Sequence, residues 1–223
     1  PLPAYTENIL INFNDINLIQ EVILKTNNKN IISAVEFWDS NCQKLFNKEK
    51  NYSYEVLIEL AADSEAEINK CLEDIANLNA EVSLLNSKQT SELWTKREEI
   101  PVKLADLNAY KLDICVPIKK LKSYLDEIYK IDLEKEVYCF GHLGDGNVHV
   151  NIVPATNLEE LKSKIYELTI FLNGSPSAEH GIGQRKKHIW SDFSYYSDKL
   201  KLLKSLKKSM DPNNILCPKV FFD

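Results

Sequence analysis

Glycine, methionine and histidine are scarce in this chain of 223 residues, which has six, one and four of them. So little glycine excludes collagen-like and glycine-rich low-complexity architectures. No Gly-Lys-Ser/Thr run and no Gly-x-Gly-x-x-Gly run occurs, which removes the phosphate loop and the dinucleotide fingerprint. No apolar stretch approaches the ~18 residues of a membrane span, and no signal peptide is visible. Positive charge is in deficit: 27 Lys and Arg against 33 Asp and Glu give a net charge of -6. Nucleic acid is therefore excluded as a partner, since phosphate binding needs clustered cations. The five cysteines (Cys42, Cys71, Cys115, Cys139, Cys217) are odd in number, widely spaced and form no Cys-x-x-Cys pair. That pattern predicts reduced thiols and a cytoplasmic protein. The chain starts Pro-Leu-Pro without an initiator Met, as a fragment would.

What is present is ordinary globular material, with 44% hydrophobic and 27% charged residues. A chain of this size removes roughly 70% of its unfolded surface from water and can form a proper core. Short β-like runs alternate with helical stretches. Strands are predicted at 8–13, 31–37, 54–60, 80–85, 111–116, 136–140 and 148–153. Helices are predicted from Asp15 to near Thr26, over 39–46, from Asp63 onward, over 90–100, from Pro117 to Ile131, and over 158–172 and 197–210. The 27–30 cluster of Asn and Lys ends the first helix, and Pro101 ends the fourth. The leucines of Lys201–Lys208 (KLLKSLKK) fit a core-facing stripe, although a basic amphipathic helix also suits the inner face of a membrane as a peripheral contact. There is no sequence repeat, yet strand–helix–strand units recur at similar spacing. The class this predicts is α+β, a mainly antiparallel sheet covered by helices.

Three of the four histidines and five of the six glycines fall in two short segments, Gly141-His142-Leu143-Gly144-Asp145-Gly146-Asn147-Val148-His149-Val150-Asn151 and Ser177-Ala178-Glu179-His180-Gly181-Ile182-Gly183. Asp145-Gly146-Asn147 between apolar runs reads as a turn between two strands. His142 then ends one strand and His149 lies on the returning one, so both imidazoles can share a divalent metal. Asn151, two residues on, points to the same face as His149. Glu179 could complete a set of two histidines and a carboxylate, with His180 facing elsewhere and free to act as a base. Gly144-Asp145-Gly146 is equally readable as a plain hairpin turn, and His188 reads as surface. Trp38 and Trp94 read as packing residues. Taken without their context, Arg97 reads as a helix-surface partner of Glu98 or Glu99, and Lys111 as a solvated strand end.

The run GHLGDGNVHVNI, then SAEHGIG with Lys186 and Lys187, then MDPNNIL, resembles the C-terminal domain of FAD-linked oxidases. These are the 2-hydroxy-acid dehydrogenases of the D-lactate dehydrogenase, glycolate oxidase flavin subunit and D-2-hydroxyglutarate dehydrogenase kind. The likeness extends to Leu93-Trp94 with Arg97, to Lys111-Leu112-Asp113 with Val116-Pro117, and to Ser33-Ala34-Val35-Glu36-Phe37, and so covers nearly all of 1–223. It implies a ferredoxin-like cap that grips substrate, with FAD held mainly by an FAD-binding domain of the vanillyl-alcohol-oxidase type that precedes the cap in the family. The C-terminal helices would pack on that domain. The family's metal positions fall on His142, His149 and Glu179, with zinc the expected ion. Its substrate positions fall on Arg97, Lys111 and Asn151, its base on His180, and a cofactor-side position on Asn147. A threonine position of some members falls on Pro101, and the family's Asn-Pro-Gly-Lys is replaced by Cys217-Pro218-Lys219.

The resemblance implies oxidation of a small D-2-hydroxy acid of the lactate, glycolate or 2-hydroxyglutarate type to the 2-oxo acid, with hydride passing to the flavin and onward to a downstream electron acceptor. Arg97 and Lys111 would hold the carboxylate, the metal would lower the hydroxyl pKa, and His180 would take the proton. A homodimer is compatible with such a cap. Two other readings stand beside this one. A self-sufficient metal-dependent hydrolase or lyase would work without flavin, and a catalytically incomplete remnant or stand-alone metal-binding domain would hold the fold alone.

Overall fold

The computed structural model describes residues 2–26, 31–46, 52–78, 80–131, 136–154, 156, 158–184, 186–189 and 193–220. In chain order the elements are β1 (Tyr5–Phe13), α1 (Asn17–Thr26), β2 (Ile32–Asp39), α2 (Ser40–Lys44), β3 (Tyr54–Ala62), α3 (Glu65–Ala76), β4 (Glu81–Leu84) and α4 (Ser87–Asp106). They continue with β5 (Tyr110–Cys115), α5 (Leu121–Ile128), β6 (Glu136–His142), β7 (Asn147–Val153), α6 (Glu159–Phe171) and α7 (Ser197–Met210). Short 3-10 turns at Ile118–Lys120 and Ser194–Tyr196 lead into α5 and α7. The Asn/Lys cluster expected to stop α1 lies at 27–30, outside the described residues.

The seven strands form one sheet in the order β4-β1-β3-β2-β6-β7-β5, and every pairing is antiparallel. The α+β expectation holds, and so does the ferredoxin-like one. The first half runs β1-α1-β2-β3-α3-β4 with β1 and β3 at its centre, the split βαβ arrangement. The second half repeats it as β5-α5-β6-β7-α6, with no fourth strand among the described residues. The two halves join edge to edge through β2 and β6, where Glu36 pairs with His142 and Trp38 with Phe140. Beside β5, where β4 lies beside β1 in the first half, sits the segment after α6. Cys115 and Ser175 exchange backbone hydrogen bonds of 2.9 and 2.7 Å, and the Ala178 N–H donates to the Asp113 carbonyl at 3.3 Å. The slot of the missing strand thus carries the chain into Glu179 and His180.

Alternation explains why the two faces differ. On β1, Ile9, Ile11 and Phe13 point one way; on β3, Val56, Ile58 and Leu60 do the same. They meet Ile68, Cys71 and Ile75 of α3, Tyr124 and Leu125 of α5, and Ile165 of α6 in the main core. The opposite face has less cover. Trp38, Leu57, Tyr138 and Phe140 pack there against Ile100 and Leu104 of α4 and Cys42 of α2, and the rest of that face is left for a cavity. Trp38 is a packing residue, as expected.

Two expectations fail. Pro101 does not end α4, which runs through it to Asp106. Proline removes the N–H that would reach the carbonyl four residues back. Ile100 and Leu104, fully buried on either side of it, hold the helix against the sheet nonetheless. The start also comes earlier than Thr90, because Asn86 and Gln89 form a reciprocal capping box. In α7 the leucines are not a buried stripe: Leu202 and Leu206 are 59% and 49% exposed, with Met210, Ile215 and Leu216 exposed beyond them. Within α7 only Leu200, Leu203 and Lys207 turn partly inward, so α7 touches the described chain along one narrow line. Lys219 lies near the position of the family's glycine and takes φ 66, the left-handed backbone that glycine adopts without strain.

Candidate functional site

The hairpin between β6 and β7 is built by its turn residues. Gly146 has φ +76, and a Cβ there would lie 2.0 Å from the Val116 carbonyl oxygen, so only glycine fits. The Asp145 side chain accepts from the Asn147 N–H at 3.0 Å, tightening the same turn. His142 therefore ends β6 and His149 lies on β7 opposite Phe140, as predicted. The two imidazoles stand 5.8 Å apart, edge to face.

Glu179 joins them. His142 Nε2 lies 3.8 Å from Glu179 Oε1, and one ligand atom each from His142, His149 and Glu179 fall within 4.8 Å of one another. The anchor of this third ligand is Asp113 on β5. Its Oδ2 accepts the backbone N–H groups of both Glu179 and His180, each at 3.0 Å. Turning both amides onto one carboxylate brings His180 into the same cavity as Glu179, rather than to a different side as the sequence suggested. The His180 ring stacks at 6.0 Å from that of His149, with Nδ1 3.9 Å from Asp113.

Both imidazoles face a carboxylate, within hydrogen-bond distance at His142 and beyond it at His149. Glu36 Oε1 is 2.5 Å from His142 Nδ1, and Asp113 Oδ1 is 3.6 Å from His149 Nδ1. A carboxylate behind the ring leaves the Nε2 lone pair outward, as metal-binding histidines require. The donor set therefore fits a divalent ion. Hydrogen bonding to Glu36 raises the His142 pKa against the opposing effect of burial. Burial pushes His149 down to about 4, with Asp113 opposing and Arg97 adding to the shift. At neutral pH His149 is therefore uncharged, the form a metal site would need. Asp113 itself is buried, which would raise its pKa, but the amides of His180 and Glu179 and the nearby imidazoles outweigh that and lower it.

The His149 shift predicts a pH dependence of stability. The folded value lies below the ordinary ~6.5, so the unfolded chain takes up the proton first as pH falls. Stability is complete above about pH 6.5 and declines by about 3 kcal/mol as pH falls toward 4. Urea unfolding of the metal-stripped chain should reveal this loss, and His149→Gln should flatten it. An equally steep decline in the variant would refute the assignment.

These groups line a cavity of about 610 Å³ on the open face of the sheet, together with Arg97, Lys111, Asn151 and Lys186. Arg97 does not pair with Glu98 or Glu99. It is buried, donates from Nε to Glu36 Oε2 at 2.8 Å, and lies 4.7 Å from the Phe140 ring centre. Lys111, paired with Asn151 in the β5–β7 register, donates to the Pro101 carbonyl at 3.0 Å, so the proline of α4 takes part in the cavity wall. Asn151 is buried, its amide nitrogen donating to the His149 and Tyr138 carbonyls at 3.1 and 3.3 Å. Trp94 packs on the second core and also lines the cavity. Asn147 is fully buried at the start of β7, is not among the cavity-lining residues, and has no side-chain hydrogen bond among the described residues. His188 is exposed.

Glu36, Asp113 and Lys186 were given no role by the sequence. For the two acids a signal existed: each sits between two large apolar neighbours in its strand, Glu36 between Val35 and Phe37 and Asp113 between Leu112 and Ile114, where a carboxylate needs a reason to be buried. Lys186 donates to the Pro176 carbonyl at 3.2 Å, and its pKa is lowered by burial.

Fold and site together define an α+β domain whose cavity gathers two histidines and one carboxylate beside the buried Arg97. The fold recurs in 4-ethylphenol oxidase from Gulosibacter chungangensis, solved as its isoeugenol complex, with a TM-score of 0.67 at 13% identity over 100% of this chain and 54% of that one. The chain belongs to the family of FAD linked oxidases, C-terminal domain, whose profile matches residues 2–220. It is 33% identical over 211 residues to a probable mitochondrial D-2-hydroxyglutarate dehydrogenase of Oryza sativa subsp. indica, covering 84% of this chain and 38% of that protein. It is 34% identical over 209 residues to the mitochondrial D-2-hydroxyglutarate dehydrogenase of Bos taurus, with coverages of 84% and 38%. The chain thus spans about two fifths of the length of these curated relatives.

Proposed function

We propose that this chain is the substrate-holding part of an FAD-dependent dehydrogenase that oxidises a D-2-hydroxy acid to the 2-oxo acid. The observation that carries the reading is the convergence of His142, His149 and Glu179 beside Arg97 in a single cavity. Family membership and the names of the relatives support it.

The acid's carboxylate is gripped by Arg97, whose fork can hold both oxygens, with Lys111 as a second cation on the same wall. Phe140, Trp94 and Leu112 supply apolar wall that limits water around the carbon skeleton. His142, His149 and Glu179 would hold a divalent ion, expected to be zinc, whose chemistry would be to polarise a hydroxyl oxygen and lower its pKa. His180, beside that centre and backed by Asp113, removes the hydroxyl proton. The hydride acceptor for the α-carbon would be a flavin held by the FAD-binding domain, whose redox chemistry is intrinsic to the cofactor. The exposed apolar side chains of α7 and of Ile215 and Leu216 are the seat of the FAD-binding domain.

Elemental analysis of the purified chain tests this reading. Wild type is expected to retain about one zinc or similar ion per chain, and His149→Ala far less. Equal metal content in the two, or none in either, would remove the ligand set. Turnover of an ester or other hydrolysable substrate by the chain alone would favour a hydrolase instead.

A further inference from the structure

Glu36 stands in the middle of the apolar run Ala34-Val35-Glu36-Phe37-Trp38 of β2, with its side chain 5% exposed. Burying a carboxylate there is costly unless both oxygens are paired. Both are, and with partners from distant parts of the chain. Oε2 accepts from Nε of Arg97 on α4, and Oε1 faces Nδ1 of His142 on β6. In the function proposed above, these partners have separate tasks: His142 holds a cation and Arg97 holds an anion. We propose that Glu36 is a positioning residue whose single carboxylate fixes the tautomer of His142 and the orientation of Arg97 together, so that the cation seat and the anion seat are built as one unit. This rests on the reading of His142 as a metal ligand.

The argument is one of hydrogen inventory. A neutral imidazole carries one N–H, and an ionised carboxylate can only accept. The hydrogen must therefore sit on Nδ1, which leaves the Nε2 lone pair toward Glu179. With the hydrogen on Nε2 the ring could not ligate from that atom. Arg97 is treated in the same way. Its Nε–H is committed to Glu36 and its guanidinium carbon lies 4.7 Å from the Phe140 ring centre at the cavity wall, so the two terminal nitrogens are not spent on Glu36. One rigid group on a central strand thus sets the angle of both.

Glu36→Gln separates this role from that of a plain buried ion pair, because glutamine has nearly the same size but only one accepting atom. If its oxygen faces His142, its NH2 confronts the Arg97 Nε–H, donor against donor. If its oxygen faces Arg97, its NH2 donates to His142 Nδ1 and drives the ring hydrogen to Nε2. No orientation satisfies both partners.

The test uses the full chain, stripped of metal, at about pH 9, where imidazoles are neutral. Nitrogen-15 spectra of His142 should show the Nδ1–H tautomer in wild type, and the Arg97 Nε–H should exchange slowly. In Glu36→Gln, either the tautomer shifts to Nε2–H or the Arg97 signal loses its protection. Zinc affinity, read by competition with a chelating dye, should fall about 10–100-fold, the usual effect of removing a partner behind a metal ligand. A predominantly Nε2–H His142 in wild type would overturn the proposal without any variant having to fold. So would a folded Glu36→Gln chain with unchanged tautomer, Arg97 exchange and zinc affinity. If wild type bound no zinc, the metal reading would fall, and the two spectroscopic signals would still decide what Glu36 does.

Discussion

Asp113→Ala is expected to detach the Glu179–His180 segment from β5 and to cost about 3 kcal/mol or more. Hydrogen bonds to a charged acceptor contribute about 1.5–3 kcal/mol each, and Asp113 Oδ2 takes two from backbone amides. The side chain is 6% exposed, so water cannot readily replace it. Alanine would leave both amides without that acceptor and remove the carboxylate 3.6 Å from His149 Nδ1. The expected results are a lower urea midpoint, faster amide exchange at Glu179 and His180 than elsewhere in the chain, and a large loss of zinc affinity. Asp113→Asn keeps one accepting oxygen without the charge and should fall between the two. Because the folded Asp113 pKa is depressed, its stabilising share is present above the ordinary carboxylate range and fades as pH falls through the folded value. Unchanged exchange at those two amides in Asp113→Ala would mean that something else holds the segment on the sheet.

Arg97→Met is expected to damage stability and function by separable routes. Arg97 and Glu36 are both almost fully buried, and removing one partner of such a pair typically costs about 3–5 kcal/mol, because the other charge stays behind uncompensated. In the full-length flavin-containing protein, the KM for a 2-hydroxy acid should rise by more than tenfold, since truncating a buried charged contact costs about 2–5 kcal/mol of binding. Arg97→Lys distinguishes the two effects. It keeps a cation near Glu36 and most of the stability, but loses the planar fork that grips a carboxylate. Should Arg97→Met unfold more easily yet keep its KM, the arginine would be a structural partner of Glu36 and no more.

The elements themselves were largely readable in the chain, because strand alternation and helical spacing are local properties. Ile9, Ile11 and Phe13 declare a one-faced strand, and the Asp145-Gly146-Asn147 turn declares the hairpin that brings His142 and His149 together. The failures were not local. Pro101 is a helix stop by its own chemistry, and only the buried Ile100 and Leu104 on either side carry α4 past it. The leucines of α7 have the spacing of a core stripe, and spacing cannot say whether the surface they face belongs to this chain. Arg97 has acidic neighbours one and two residues away, yet pairs with Glu36, 61 residues distant.

By itself the sequence determined an α+β chain with two glycine–histidine segments and the donors of a two-histidine, one-carboxylate centre. Their chemistry is written in residue types, and their local geometry in the glycines beside them. Only the tertiary structure decided which carboxylate stands behind which imidazole, and that the segment after α6, lying beside β5, carries Glu179 to the sheet. Those outcomes depend on the edge-to-edge register of β2 with β6 and of β5 with its neighbours. Register is fixed by packing across the whole sheet, a sum over contacts between residues far apart in the chain.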